Sequence, residues 1–555
     1  MNPEEILFFV LGAIAVIVAV RWVTEKTGLP AAVLLTLIGI IYAYLPGPNV
    51  ELEPELILTF VLPPLLYNAA LDSSLLDIRR NMRTVISLSV ALVLVTALLI
   101  GVGFSLWVAG ATLAAGVALG AAVAPPDPVA ALAVGRKAGL PGKLVTLIQG
   151  EGLLNDATAL TILTVAVAAQ RDGNFSFDSA VGKFVIAAAG GVLVGVAVAY
   201  AVRFLKSLRA DPLNSNAISL ITPLAAYLIC ENSFVHHYVF ISGVLAVVVA
   251  GLIIGHDTPR YATGASRLQT SAVWRLIDFL LEGAVFLLIG MQVPTVVDGL
   301  AKYQTSTIII ALAITLGVVL LLRPLWLVAT QLLPRQLHTQ LGGQELSDAE
   351  DDGTNTKREV PLTGKEVTAL SWAGTRGVIT LAAIFTLPHG FPDRELLFFC
   401  AISVVLVTLV GQGLTFAPLV RWLGLKANQK DKARLRNEAR SAAVCAALDR
   451  LDDIQEQQHD NVEEEAIETM RRQLEVRLDR YRRRLDLLEQ VESHELPKSP
   501  QYEAALMVRQ AVIDAEREEL LRWRDAGRLE DDSLRVLNRE LDHEELVLPK
   551  RNKDH

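Results

Sequence analysis

Two acidic residues stand where a membrane-spanning chain would least tolerate them. Asp156 lies in Gly150-Glu151-Gly152-Leu153-Leu154-Asn155-Asp156-Ala157-Thr158-Ala159-Leu160, which runs on into the apolar Thr161-Ile162-Leu163-Thr164-Val165-Ala166-Val167. Asp127 lies upstream in Ala124-Pro125-Pro126-Asp127-Pro128-Val129-Ala130, held between prolines. An ionisable side chain at bilayer depth costs ~2.5–3.5 kcal/mol on insertion scales, so one that persists marks an ion site or a proton relay. Carboxylate, amide and carbonyl oxygens suit a hard cation, which makes Asp127, Asp156 and Asn155 candidate ligands and the two aspartates the metal-binding pair. Burial favours the protonated carboxyl and a bound cation favours the carboxylate. One site can then hold either a proton or a cation, and that competition is sufficient for exchange.

The prolines say how such a site is built. Pro126 and Pro128 have no amide hydrogen, and each disfavours helix in the residue before it. The span should unwind at Asp127, exposing half-helix ends and free carbonyls at mid-membrane depth, as in the broken spans of secondary transporters. Backbone of that kind is tolerated only where protein covers it or a cavity lies beside it. Other charges in or near the apolar spans need partners: Glu151, Glu231, Glu282 and Arg376. Arg376 lies in the small-residue run Ser371-Trp372-Ala373-Gly374-Thr375-Arg376-Gly377-Val378, and an internal carboxylate such as Glu151 or Glu231 should face it. His236 and His237 fall in an expected external loop and read as solvated.

The elements that position these residues are apolar helices. The chain has 555 residues, 52% of them hydrophobic, and a mean hydropathy of +0.42. Its repeated stretches of about 20 apolar residues define an all-α, polytopic membrane protein. Thirteen spans are expected, near 5–23, 29–45, 54–71, 85–108, 111–134, 145–169, 179–202, 216–231, 237–255, 272–292, 305–331, 367–388 and 395–423. Lysine and arginine in alternate loops are split 17 to 3. Positive charge accumulates on the cytoplasmic side, which puts the N-terminus outside and the C-terminus inside. The start, Met1-Asn2-Pro3-Glu4-Glu5, lacks the basic region of a signal peptide, so the first apolar run is expected to be a retained span. Cys230, Cys400 and Cys445 show no metal-site or disulfide spacing.

The reading divides the chain into a membrane domain, 1–425, and a cytoplasmic helical tail, 426–555. Residues 336–366 form an acidic cytoplasmic loop. In the tail, Ile467, Met470, Leu474, Leu478, Tyr481, Leu485 and Leu488 recur at helical spacing and give one apolar face. A second helix should end near Asp525, with Gly527 as its C-cap, and a third should begin near Asp531. The tail reads as a regulatory module or partner surface rather than a catalytic domain.

The residues also match a family. In order, the chain carries Leu62-Pro63-Pro64-Leu65-Leu66, Pro126-Asp127-Pro128, Gly150 to Asp156, Ser242-Gly243-Val244-Leu245-Ala246-Val247-Val248, Phe286-Leu287-Leu288-Ile289-Gly290, Gly374-Thr375-Arg376-Gly377 and Gln412-Gly413-Leu414. This set resembles the bacterial sodium/proton antiporters of the monovalent cation:proton antiporter-1 family, relatives of the animal exchangers, over about residues 5–425. The resemblance implies inverted repeats, crossing unwound spans and a homodimer in the bacterial plasma membrane. It implies that Asp127 and Asp156 bind cation and proton, that Glu151 pairs with Arg376, and that Asn155-Asp156 goes with electroneutral one-for-one exchange. Three positions depart from the family pattern. Pro126 replaces a threonine, Gly152 replaces a serine, and Glu282 stands where an asparagine is common. These auxiliary positions bear on selectivity among sodium, lithium and potassium.

Other classes fit less well. The Tyr-Asp and Gly-x-Gly-Asp of an intramembrane aspartyl protease do not surround Asp127 or Asp156, and no Walker motif is present to drive primary transport. A membrane sensor would not need a broken span, and a passive channel does not explain buried carboxylates. The expectation is therefore a non-enzymatic sodium/proton antiporter, with a potassium/proton exchanger on the same scaffold as the alternative. Its partners are monovalent cations, protons and the lipid bilayer. No resident cofactor and no nucleic acid are expected.

Overall fold

The computed structural model describes residues 3–27, 29–45, 57–127, 131–132, 135, 139–172, 177–207, 211–231, 241–332, 340–341, 360–388, 390–425, 429–457, 464–490, 500–526, 528–529 and 531–546. Within these the long apolar runs are helices, as they must be where lipid offers the backbone no hydrogen bonds. In chain order they are α1 (Pro3–Thr27), α2 (Ala31–Ala43), α3 (Leu62–Leu71), α4 (Met82–Trp107), α5 (Leu113–Val123), α6 (Gly142–Asp172) and α7 (Phe177–Ser207). There follow α8 (Pro212–Glu231), α9 (Gly243–Tyr261), α10 (Gly264–Asp298), α11 (Thr305–Leu332), α12 (Gly364–Trp372), α13 (Val378–Phe385) and α14 (Arg394–Leu423). Two-residue strands, Gln340–Leu341 and Val360–Pro361, pair antiparallel.

Among the described residues nine helices are long and apolar enough to cross a membrane. Three shorter apolar helices, Ala31–Ala43, Thr59–Leu71 and Leu113–Val123, fall in three more of the stretches expected to cross. The last such stretch, 367–388, holds α12 and α13 with unwound chain between them. Among the described residues, continuous apolar helices thus account for nine of the thirteen expected crossings, and the other four stretches hold short or broken helices.

Packing follows the small residues. α2 lies against α10 so closely that a Cβ added at Gly39 would meet the Leu287 carbonyl, and one added at Gly290 would meet the Thr36 carbonyl. Helices associate this way in lipid because glycine lets backbones touch. α9 is flanked by α3, α7 and α8, and α5 lies between α4 and α6. π-helical turns interrupt α4 at Ser87–Ala91 and α14 at Thr408–Gln412, and each turns a hydroxyl inward. Ser89 donates to the Glu151 carbonyl at 3.0 Å, and Thr408 accepts from the Arg376 amide at 3.0 Å.

A second unit, Asn428–His555, is separate by its contacts from Met1–Ala427. It contains α15 (Gln429–Gln457), α16 (Glu464–Gln490), α17 (Pro500–Asp525) and α18 (Asp531–Leu546). α15 packs on α16, whose apolar stripe is at least half-buried except at Met470. α17 and α18 are tied by Arg509–Glu544 at 3.0 Å, Arg517–Asp542 at 2.5 Å and Arg517–Glu545 at 2.6 Å. Gly527, expected as a C-cap, and Pro128, His236 and His237 lie outside the described residues.

The starts of α6 and α12 are joined by an ion pair. Lys143 Nζ lies 2.6 Å from Glu366 Oε1, and Glu366 also closes a capping box with Thr363. Burial alone would push the Glu366 carboxyl up, but the hydrogen bonds from Lys143 and Thr363 and the lysine charge outweigh it and hold the group below its ordinary value. A depressed carboxylate stabilises the fold above its unfolded-state value, and that stability is lost as pH falls through the folded-state value. Lys143→Met should therefore lower the thermal stability of detergent-purified protein by on the order of 1 kcal/mol near neutral pH. The difference from the unsubstituted protein should shrink as the melts are repeated at progressively more acidic pH, once Glu366 protonates. A difference independent of pH would show that the pair does not act in this way.

Candidate ion-binding site

Two unwound segments cross at the centre of the membrane unit. α5 ends at Val123, and Pro125-Pro126-Asp127 continues without helix. α12 ends at Trp372, and the chain stays unwound until α13 starts at Val378. At the crossing the Asp127 amide donates to the Thr375 carbonyl at 2.6 Å, and Thr375 Oγ1 donates to the Asp127 carbonyl at 3.2 Å. Each segment thus supplies hydrogen bonds that the other lost on unwinding.

The charges are exchanged as well. Arg376 donates from Nε to the Val123 carbonyl at 2.9 Å, from Nη2 to the Ala124 carbonyl at 3.2 Å, and from Nη1 to the Gly374 carbonyl. A guanidinium therefore covers the negative, C-terminal end of α5. Reciprocally, Asp127 lies against Gly377, the residue that precedes α13. A Cβ built at Gly377 would collide with the Asp127 carboxylate, so only glycine leaves room for that carboxylate beside the positive, N-terminal end of α13.

α6 carries the second aspartate past this crossing. Glu151, Asn155 and Asp156 are all buried, at 1%, 0% and 3% exposure. Asn155 Nδ2 donates to the Pro126 carbonyl at 3.4 Å, which ties α6 to the unwound segment. Asn155 Oδ1 is buried with no hydrogen-bond partner, as is Thr380 Oγ1 in the first turn of α13. Asp156 and Asp127 lie near enough for their charges to act on one another. Two carboxylates and an unclaimed amide oxygen are therefore gathered in protein at membrane depth. Among the described residues no group of three or more His, Cys, Asp or Glu is arranged to hold a resident metal ion.

The structure corrects one expected pairing. Glu151 makes no direct ion pair with Arg376, although its charge acts on that guanidinium. It is held in a two-pronged pair by Arg323 of α11, through Nη1 to Oε1 and through Nη2 to Oε2 at 2.8 Å. Arg323 Nε also donates to the Leu370 carbonyl at 3.0 Å, and both side chains are fully enclosed. Arg376 gives its side-chain hydrogen bonds to backbone carbonyls at the break, with the Glu151 charge within electrostatic reach. Glu231 is not its partner either: it ends α8, exposed, beside Tyr227 and Cys230. Arg323 was findable by the rule that exposed the aspartates, since it interrupts Val318-Val319-Leu320-Leu321-Leu322-Arg323-Pro324 within an apolar span.

The departing positions fall in different places. Pro126 is buried at the crossing and Gly152 is buried in α6. Glu282 is on α10, half-buried, within electrostatic reach of Asp127 and of Asp278 one turn earlier. Asp278 in turn has a hydrogen bond to Asn68 of α3.

Paired broken helices around buried carboxylates are the architecture of a secondary transporter. The comparisons with known proteins agree. The family model described as sodium/hydrogen exchanger, transmembrane, matches residues 12–422, and the chain belongs to that family. It is similar to an uncharacterised Na(+)/H(+) exchanger of Mycobacterium tuberculosis, 29% identical over 553 residues that cover 98% of this chain and 96% of the other. It is also similar to a sodium, potassium, lithium and rubidium/H(+) antiporter of Bacillus pumilus, 29% identical over 69% of this chain and 56% of the other. In fold it is similar to the sodium proton antiporter MjNhaP1 of Methanocaldococcus jannaschii, with a TM-score of 0.59 and 17% identity over 76% of this chain and 99% of that one.

Removing one partner of a buried ion pair leaves an uncompensated charge, at a cost of about 3–5 kcal/mol. Arg323→Met should accordingly reduce folded yield and melting temperature sharply, and Arg323→Met with Glu151→Leu should restore much of both. If the double variant is no better than the single one, the pair is not what Arg323 supplies.

Proposed function

We propose that this protein exchanges sodium or lithium for protons, electroneutrally, by competition of cation and proton for Asp156 and Asp127. The observation that carries the reading is the orphaned Asn155 Oδ1 next to a buried carboxylate at the crossing. A buried acceptor without a donor is costly unless a ligand comes to it. Asp156, Asn155 and Asp127 would receive the cation, Asp127 from its place opposite a helix N-terminus. Proton binding at Asp156 removes the charge that attracts the cation, so the two ions alternate rather than share. Membership of the sodium/hydrogen exchanger family supports this reading. The Glu151–Arg323 pair and Arg376 hold α6 and the unwound segments in register and do not themselves receive the ion.

The same reading places thirteen crossings in a bacterial plasma membrane, N-terminus outside and C-terminus in the cytoplasm, in a homodimer. The loop charges and the family support that arrangement. The unit Asn428–His555 would set the pH response rather than carry transport. Potassium exchange is the second reading, supported by the breadth of ions in the printed name of the Bacillus pumilus relative.

Everted vesicles acidified inside by respiration and followed with a pH-sensitive dye test the proposal. Sodium or lithium should release protons in vesicles carrying the unsubstituted protein, and not in those carrying Asp156→Asn present at equal amount. A response to potassium alone would change the substrate. Undiminished exchange in Asp156→Asn would remove the mechanism.

A further inference from the structure

α13 starts without an N-cap side chain of its own. Its N-cap residue is Gly377, and the place where a side chain would stand is taken by the Asp127 carboxylate from the other unwound segment. In a capped helix the N-cap side chain has as its neighbour the side chain three residues on. α12 shows that relation directly: Thr363 is its N-cap, Glu366 is its third residue, and Thr363 Oγ1 donates to Glu366 Oε2 at 3.0 Å. At the corresponding position of α13 stands Thr380, third in Val378–Phe385. Side chains on a helix lean toward its N-terminus, so the Thr380 hydroxyl is directed to the end of α13 where Asp127 lies. α13 also packs against α6, which carries Asn155 and Asp156.

The hydroxyl is unclaimed. Thr380 is 1% exposed, and its Oγ1 has no hydrogen-bond partner. Other buried helical threonines donate to the carbonyl four residues earlier: Thr96 to Leu92 at 2.6 Å, Thr161 to Ala157 at 2.7 Å, Thr222 to Ile218 at 2.6 Å and Thr315 to Ala311 at 2.7 Å. Four residues before Thr380 is Arg376, in the unwound segment, where the helical acceptor is missing. The break that receives Asp127 therefore frees this hydroxyl as well. A buried hydroxyl without a partner is costly unless a ligand comes to it, and its oxygen suits a hard cation. Pro126 and Gly152, buried on the two segments that carry the aspartates, offer no side-chain oxygen.

We propose that Thr380 Oγ1 is a further ligand of the transported cation, meeting the ion from the α13 side together with Asp127. The inference rests on the antiport reading and adds one residue to its site. A hydroxyl does not change charge in this exchange, so Thr380 contributes to cation affinity and leaves the proton to the carboxyls.

A ligand that binds the folded protein raises its melting temperature, so sodium can be titrated against choline on the full-length, detergent-purified protein. The sodium concentration that gives half of the rise should increase about tenfold in Thr380→Val and in Thr380→Ala, and stay within about twofold in Thr380→Ser. The apparent KM for sodium in everted vesicles should move in the same order. Without sodium, Thr380→Val should melt no lower than the unsubstituted protein, because the hydroxyl it removes is bonded to nothing; a marked drop would assign the hydroxyl a structural role instead. A half-point unchanged in both Thr380→Val and Thr380→Ala, or displaced as far in Thr380→Ser, overturns the ligand role and leaves antiport intact. If Thr380→Val does not fold, Thr380→Ala against Thr380→Ser decides, and the vesicle KM decides if sodium raises no melting temperature. Absence of exchange by the unsubstituted protein would count against the antiport reading, while the sodium half-points would still judge Thr380.

Discussion

Two segments of the chain unwind inside a membrane, and each must be repaired by the other. Lipid offers no hydrogen bonds there, so the amides and carbonyls freed at Pro126-Asp127 and at Gly374-Thr375-Arg376 are best met by protein partners. The repair is mutual. Asp127 and Thr375 exchange hydrogen bonds, Arg376 covers the carbonyl end of α5, and Asp127 lies beside the start of α13. The charge that each half-helix requires comes from the opposite strand of the crossing. Separating the two segments would leave charges and backbone groups unpaired together, which ties them into one unit.

Around it, the buried charges are nearly all spoken for. Arg323 is committed to Glu151 and to the Leu370 carbonyl, and this joins α6 to α11 and α12. Arg376 is committed to backbone. Asn155 spends its amide hydrogen on Pro126 and keeps its oxygen free. What is left over is the Asn155 oxygen, buried without a partner beside the Asp156 carboxylate and within reach of the Asp127 charge. A binding group held by saturated neighbours is the arrangement that keeps donor geometry fixed while occupancy changes.

Much of this was legible in the sequence, for a physical reason. A carboxylate in lipid and a proline pair in a span are too costly to be incidental, so Asp156 and the break at Pro126-Asp127 announced themselves. The helical class was equally plain. Partner choice was not, because it depends on how helices rotate and cross: Glu151 and Arg376 looked complementary in one dimension, yet α11 brings Arg323 to Glu151. The sequence reading also sought a carboxylate for Arg376, when unwound carbonyls serve as well.

The account turns on one claim, that cation and proton compete for the same group. Calorimetry or a pH indicator in weakly buffered solution can follow sodium binding to the purified protein directly. Linkage predicts release of about half a proton for each sodium bound at the midpoint of the site's own titration, rising towards about one at more acidic pH, and no release from Asp156→Asn. Sodium binding that releases no proton from the unsubstituted protein, with affinity independent of pH, would contradict it.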